Sequence, residues 1–168
     1  MKRALSLVAS LALLGLTACA GAKISTDFDK AADFSHFKTY SWIKGMSAAD
    51  PLVEERIKSA VDRKLAAKGL TQVESSADLH VATYASTSVQ QEVNTASYGY
   101  GYSGTGWDNS MVSVSAVDVG TLVLDLVDPS SQKLVWRGTA TGVVGYSVQQ
   151  EKVDRIVERM LTRFPLKG

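Results

Sequence analysis

One cysteine and two histidines in 168 residues leave little material for the commoner kinds of side-chain chemistry. A lone Cys19 excludes an intramolecular disulfide framework and any metal site built from several cysteines. His36 and His80 have no companion at a metal-binding or acid–base spacing, so neither is expected to be a ligand or a general base. No Ser–His–Asp, Cys–His or paired-carboxylate arrangement stands out along the chain, although residues distant in sequence can converge on folding. Eighteen Lys and Arg stand against 17 Asp and Glu, with no basic stripe, which excludes nucleic acid as an expected partner. At 18.0 kDa the chain is long enough for one domain with a full core, and no cofactor is expected.

What is present begins at the N-terminus. Met1-Lys2-Arg3 is a basic start, and Ala4 to Leu16 is an apolar run too short to span a bilayer as a helix. Leu16-Thr17-Ala18-Cys19 then resembles the bacterial lipobox. That resemblance implies a signal peptide over 1–18, diacylglycerol on the Cys19 sulfur and further acylation of the new amino group. Several acyl chains anchor durably, whereas one gives only marginal membrane binding. Ala20 after the cysteine, in place of Asp, implies sorting to the outer membrane. Losing Lys2 and Arg3 takes the side-chain charge from +1 to −1. Residues 19–23 are expected to be a lipidated tether, and 24–168 a single domain.

The strongest folding signal is Gly120 to Gly138, GTLVLDLVDPSSQKLVWRG. Leu122, Leu124 and Leu126 alternate with Val123, Asp125 and Val127, the period-two pattern of a strand with one apolar face. Asp128-Pro129-Ser130-Ser131 reads as a type I turn, and Leu134 and Trp136 resume the alternation. If Leu126 faces Trp136, paired residue numbers sum to 262 and Asp125 faces Arg137. That ion pair is expected to fix register at the surface and to contribute about 0.2–1 kcal/mol.

Asp50 and Pro51 open a helix on which Val53, Ile57, Val61 and Leu65 repeat at i+4, and Lys68-Gly69 closes it. Asp62 and the other charges of this segment are expected on its solvated side. A second helix is expected from a capping box at Ser147 to Gln150, through Val153, Ile156, Val157, Met160 and Phe164, to a stop at Pro165. Strands are expected at 24–29, 38–43, 70–73, 78–93 and 111–119, with Leu79, Val81, Thr83 and Ala85 on one face of the fourth and His80 and Tyr84 on the other. Phe34, Phe37, Tyr40 and Trp42 are expected to pack in the core.

Asn94 to Ser110 is the oddest stretch, with Tyr98, Tyr100, Tyr102 and Trp107 set among Gly99, Gly101, Gly104 and Gly106. It reads as a loop between strands. Its aromatics could also stack on sugar rings, lipid headgroups or a partner protein. No Lys-Ser/Thr follows the glycines, which excludes a phosphate loop.

Taken in order, the lipobox cysteine, DFDKAADFSHFKTYSW (27–42), DPLVEERIK (50–58), LAAKG (65–69), ADLHV (77–81), GTLVLDLVD (120–128), KLVWRG (133–138) and a closing helix ending in FP resemble a bacterial lipoprotein family known as domain of unknown function 4136. The resemblance implies fold and location, and it brings no catalytic residues. The expected architecture is α+β, a two-layer sandwich in which two amphipathic helices cover one face of a mostly antiparallel sheet. The expected role is a non-enzymatic structural or binding one, on the periplasmic side of the outer membrane, with an envelope protein or glycan as partner. The alternative is an envelope hydrolase or small-ligand carrier with a pocket between sheet and helices, where His80, Asp78 or Asp125 would converge.

Overall fold

The computed structural model of the protein describes residues 21–45, 48, 50–97, 110–144 and 148–166. Six strands and two helices follow one another as β1 (Lys23–Phe28), β2 (Thr39–Trp42), α1 (Pro51–Ala67), β3 (Thr71–Gln72), β4 (Leu79–Ser97), β5 (Ser110–Asp128), β6 (Lys133–Val143) and α2 (Gln150–Leu161). They form one sheet in the order β1-β6-β5-β4-β2-β3, antiparallel from β1 to β4 and parallel where β2 joins β4 and β3. The fold is α+β with a mostly antiparallel sheet, as the sequence pattern suggests. A parallel β2 needs a crossover, and α1 with β3 supplies it.

The register of the central hairpin follows from its side-chain alternation. Leu126 lies opposite Trp136 and Asp125 opposite Arg137, and the same sum of 262 holds from there to Val119 opposite Val143. Below Leu126 the count slips by one, because Val135 is an extra, buried residue in a bulge. The connection is also longer than a type I turn. Asp128 pairs with Lys133, and Gln132 takes the left-handed conformation at φ 56°. The Asp128 carboxylate holds the bend by accepting from the Ser130 N–H and from the hydroxyls of Ser130 and Ser131.

Both helices lie against the sheet face that carries Leu79, Val81, Leu124, Leu126 and Trp136, all buried with Ile57, Val61, Leu65, Val157 and Met160 in one core. Each fully buried side chain of this size contributes roughly 1.5–3 kcal/mol. The helices run side by side in the same direction, since their contacts advance together. Arg56 donates to the Val148 carbonyl, Lys64 pairs with Glu158 at 2.8 Å, and the Lys68 ammonium reaches the carbonyls of Phe164 and Leu166. Asp50 caps α1 by accepting from the Leu52 N–H, as its position before Pro51 implies, and Gly69 closes the helix at φ 85°.

The second helix departs from expectation at both ends. Its N-cap is Gln149 without a side-chain cap bond, and Ser147 lies outside the described residues. It stops at Leu161 rather than running to Pro165, because a proline ring clashes with the carbonyl four residues earlier. Phe164 still reaches the core and meets Trp136 edge-on at 5.6 Å. Phe34 in turn meets Phe28, Phe37 and Phe164 edge-on, so these aromatics close one end of the core.

Gly138 is needed for packing in the core. A Cβ at Gly138 would lie 2.5 Å from the Trp136 ring and 2.9 Å from the Met160 terminal methyl. Gly138→Ala is therefore expected to lower stability by about 1–3 kcal/mol, read from the midpoint of a urea titration at unchanged slope. An unchanged midpoint would show that the indole and Met160 yield freely.

Candidate functional site

The residues that sequence reasoning singled out fall in separate places. Asp78 stands just before β4. One of its oxygens accepts from the N–H groups of Lys38 and Thr39 and from the Thr39 hydroxyl, each at 2.9 Å, and its own N–H donates back to that hydroxyl. These bonds hold the Asp78 carboxyl below the usual carboxylate range, the Lys38 N–H contributing most. The residue fastens the start of β2 to β4. His36 lies in a short 3₁₀ turn, Phe34–His36, against the Phe37 ring at 4.1 Å. His80 is half-buried within β4, opposite Val127.

Asp125 sits on the sheet face turned away from the helices, and it is not the surface residue the sequence suggests. Its side chain is 6% exposed and grips Arg137, itself 49% exposed, through two bonds of 2.6 Å. The carboxylate's hydrogen bond raises the guanidinium's already high pKa further. Tyr84, Ala85, Ser86, Thr121, Val123 and Arg137 outline a shallow groove of about 360 Å³ beside this pair. The space between sheet and helices, where a carrier's or hydrolase's cavity was the alternative, is filled by the core.

Asp62 is the residue that sequence reasoning misplaced. It accepts from the Tyr40 hydroxyl at 2.8 Å and the Trp42 indole N–H at 2.9 Å, tying α1 to β2. Burial first, and then Asp62, push the Tyr40 phenol well above its usual range. The available signal was the pair of aromatics itself, since a packed Tyr and Trp each need an acceptor for their polar end. A second open groove lies beside Asp62, lined also by Tyr40, Arg63, Gly69 and Gln72. Among the described residues no three or more His, Cys, Asp or Glu side chains gather as a metal site would require.

The Tyr/Gly stretch is shorter than expected. β4 runs on to Ser97 and β5 begins at Ser110, so the strands take both ends of the 94–110 segment, and Tyr98, Tyr100, Tyr102 and Trp107 lie outside the described residues. Cys19 lies outside them too. β1 begins at Lys23, opposite Thr141 near the end of β6, with Ala22 packed against Gly142 and its carbonyl accepting from Arg159. Among the described residues no helix is long and apolar enough to cross a membrane.

Two measurements test these assignments. In a double-mutant cycle, Asp125→Ala and Arg137→Ala are expected to couple by about 1–2 kcal/mol; this is less than a fully buried pair gives, because Arg137 is half in water. Additive effects would reduce the pair to a surface contact. Asp78 and Asp128 have folded-state pKa values below their ordinary 3.8, that of Asp128 at about 2, set chiefly by the Ser130 and Ser131 hydroxyls. Their stabilisation is present above 3.8 and is lost as pH falls through the folded value. Asp78→Asn and Asp128→Asn are expected to be less stable than the parent at neutral pH, with a shallower acid decline; an equally steep decline would contradict this.

Comparison with known proteins adds fold and family. A comparison with curated proteins finds no match. A solved PDZ domain protein from Parabacteroides distasonis is similar at 17% identity and a TM-score of 0.57 over 86% of this chain; the chain spans 36% of that protein's length. A PelC dodecamer from Paraburkholderia phytofirmans is similar at 16% identity and a TM-score of 0.54, over 88% of this chain and 98% of that one. A minor lipoprotein from Acinetobacter baumannii is similar over 76% of this chain and 92% of that one, at 9% identity and a TM-score of 0.41. The family model described as "Domain of unknown function (DUF4136)" matches residues 24–166, nearly all of the chain beyond its first segment, and the protein belongs to that family.

Proposed function

We propose that the protein is a lipoprotein held by Cys19 in the periplasmic leaflet of the outer membrane, and that it works there by contact rather than by catalysis. The observation that carries this reading is the short distance between the lipobox cysteine and the folded body. β1 begins at Lys23, so three residues lie between it and Cys19, a reach of at most about 14 Å from Cys19 to Lys23. A body held that closely stays at the membrane surface. The apolar segment before Cys19 and the small residues beside it support the anchor.

The employment of the acidic side chains supports a non-enzymatic role. Asp62, Asp78, Asp125 and Asp128 each serve a named partner within the fold, and each partner is structural. The part left over for contact is the β4–β5 ribbon with its Tyr98, Tyr100, Tyr102 and Trp107 segment, for which an envelope protein or glycan is the proposed partner.

The anchor is tested by Cys19→Ser. The parent is expected to take up radiolabelled palmitate and to fractionate with membranes, and the variant to lose both. Palmitate uptake and fractionation unchanged in the variant would overturn the anchor.

A further inference from the structure

The β4–β5 pairing continues after the rest of the sheet has ended. Val144, just past β6, donates to the Asp118 carbonyl at 2.8 Å, and by Val148 the chain is packed against the core. On the other side Ile43 donates to the Val81 carbonyl at 2.9 Å, and Gly45 lies against the Thr83 carbonyl. Beyond these points the ladder runs without a bulge from Val89 opposite Asp118 to Ser97 opposite Ser110. Among the described strands none lies beside either edge of it. Its base is open on both faces too, since Val89, Gln90, Gln91, Ser115, Ala116 and Asp118 are all exposed. A ribbon of two strands, with neither a third strand nor a helix against it, is marginal in water.

Alternation along the strand fixes which backbone groups line the open β5 edge. In an antiparallel pair, successive residues turn their N–H and C=O groups to opposite sides. Asp118 turns its carbonyl toward Val144, on the β6 side. The unbroken register therefore turns the N–H and C=O groups of Ala116, Val114, Val112 and Ser110 to that same side, where no described strand meets them. The residues between them turn theirs to β4.

This edge lacks the usual protection. Natural sheets blunt an exposed edge with Lys, Pro, a bulge or a well-placed charge. Lys, Arg, Pro and Gly are absent from 88–97 and from 110–119. The outer half of β5, Ser-Met-Val-Ser-Val-Ser-Ala-Val over 110–117, carries no charge of either sign. Uncharged runs of high strand propensity without Pro are the ones that pair with copies of themselves. β4 differs, because Glu92 stands near the middle of its outer half. Pairing that edge with its own copy would bring two carboxylates together, and like charges across a strand pair repel.

We propose that two copies of this chain pair through the outer half of β5, antiparallel about a two-fold axis. A second copy is the occupant that fits, since its edge has the same length, the same open groups and no charge to repel. The axis requires paired residue numbers to have an even sum, and a sum of 226 uses every open group. Ser110 then exchanges both bonds with the partner's Ala116, and Val112 with the partner's Val114, while Asp118 keeps Val144. Ser113 meets its own counterpart in the closer, non-hydrogen-bonded kind of pair, with Cα atoms about 4.5 Å apart. The contact is isologous and closes at two copies. It makes one sheet with two strands from each copy, above the size at which a ribbon is marginal. The added strand supplies hydrogen bonds without an apolar layer, so the ribbon still opens far more readily than the packed inner half of the ladder. None of this requires lipid on Cys19.

The test uses the full protein in a non-ionic detergent. Ser113→Cys is oxidised with copper phenanthroline beside Ser131→Cys, which lies in the exposed turn between β5 and β6, and beside the parent, which reports any disulfide through Cys19. The close pair suits a disulfide, so Ser113→Cys is expected to give a linked dimer about tenfold or more faster than Ser131→Cys. Val114→Pro removes an N–H that only the second copy would use, and proline is tolerated on such an edge. Light scattering is expected to give two chains for the parent and one for Val114→Pro, with the amides of 79–87 equally protected from exchange in both. A parent that scatters as one chain overturns the proposal, as does Ser113→Cys linking no faster than Ser131→Cys. A mass beyond two copies, or a different protein held on the edge of the purified parent, overturns the closed pair. A dimer that persists in Val114→Pro shows that the copies meet elsewhere, which overturns it too. Membrane fractionation of Val114→Pro is expected to match the parent, so failure of the pair is separate from failure of the anchor.

Discussion

The backbone ladder between β4 and β5 is the constraint on which the rest of the structure depends. It joins Leu79–Ser97 to Ser110–Asp128 in a single register, and every other element attaches to its inner half. β6 and β1 extend it on one side, and β2 and β3 on the other. The two helices cover the face made by Leu79, Val81, Leu124 and Leu126, with Trp136 filling the middle. A slip of one residue along this ladder would turn those leucines outward and bring Asp125 into the apolar layer. Trp136 opposes such a slip, because its indole occupies the space that Gly138 leaves empty.

Much of this was legible because it rests on local periodicity. The alternation around Leu126 and Trp136 gives the hairpin register and the Asp125–Arg137 pair, and Asp50, Pro51 and Gly69 give both ends of α1. Features set by distant partners were not legible. The ends of β4 and β5 are rich in Ser, Thr, Asn and Gln, whose weak strand signal resembles a loop until the opposite strand is in place. Asp62 reads as one charge on a mixed surface until β2 brings Tyr40 and Trp42 to it. The bulge at Val135 and the left-handed Gln132 belong to a turn longer than its Asp-Pro start implies. The stop of α2 at Leu161 follows from Pro165, but only when the clash is counted four residues back.

The candidate site is instructive in the same way. Of the three groups that could have converged on a substrate, Asp78 holds the N–H groups of residues 38 and 39, Asp125 holds Arg137, and His80 stays within its strand. The sequence offers the residue types, and the sheet assigns the two carboxylates to maintaining its own edges and register. What remains unused by the fold is one end of it, where Lys23 brings in the tether and the ribbon departs.

The central claim is that the ladder's inner half is stabilised by packing against the body, a support that its outer half lacks among the described strands and helices. Hydrogen exchange read by mass spectrometry compares the two halves directly. In solution, amides of 89–97 and 110–118 should exchange far faster than those of 79–87 and 119–128. Outer-half amides that exchange as slowly as those of the inner half would contradict the claim.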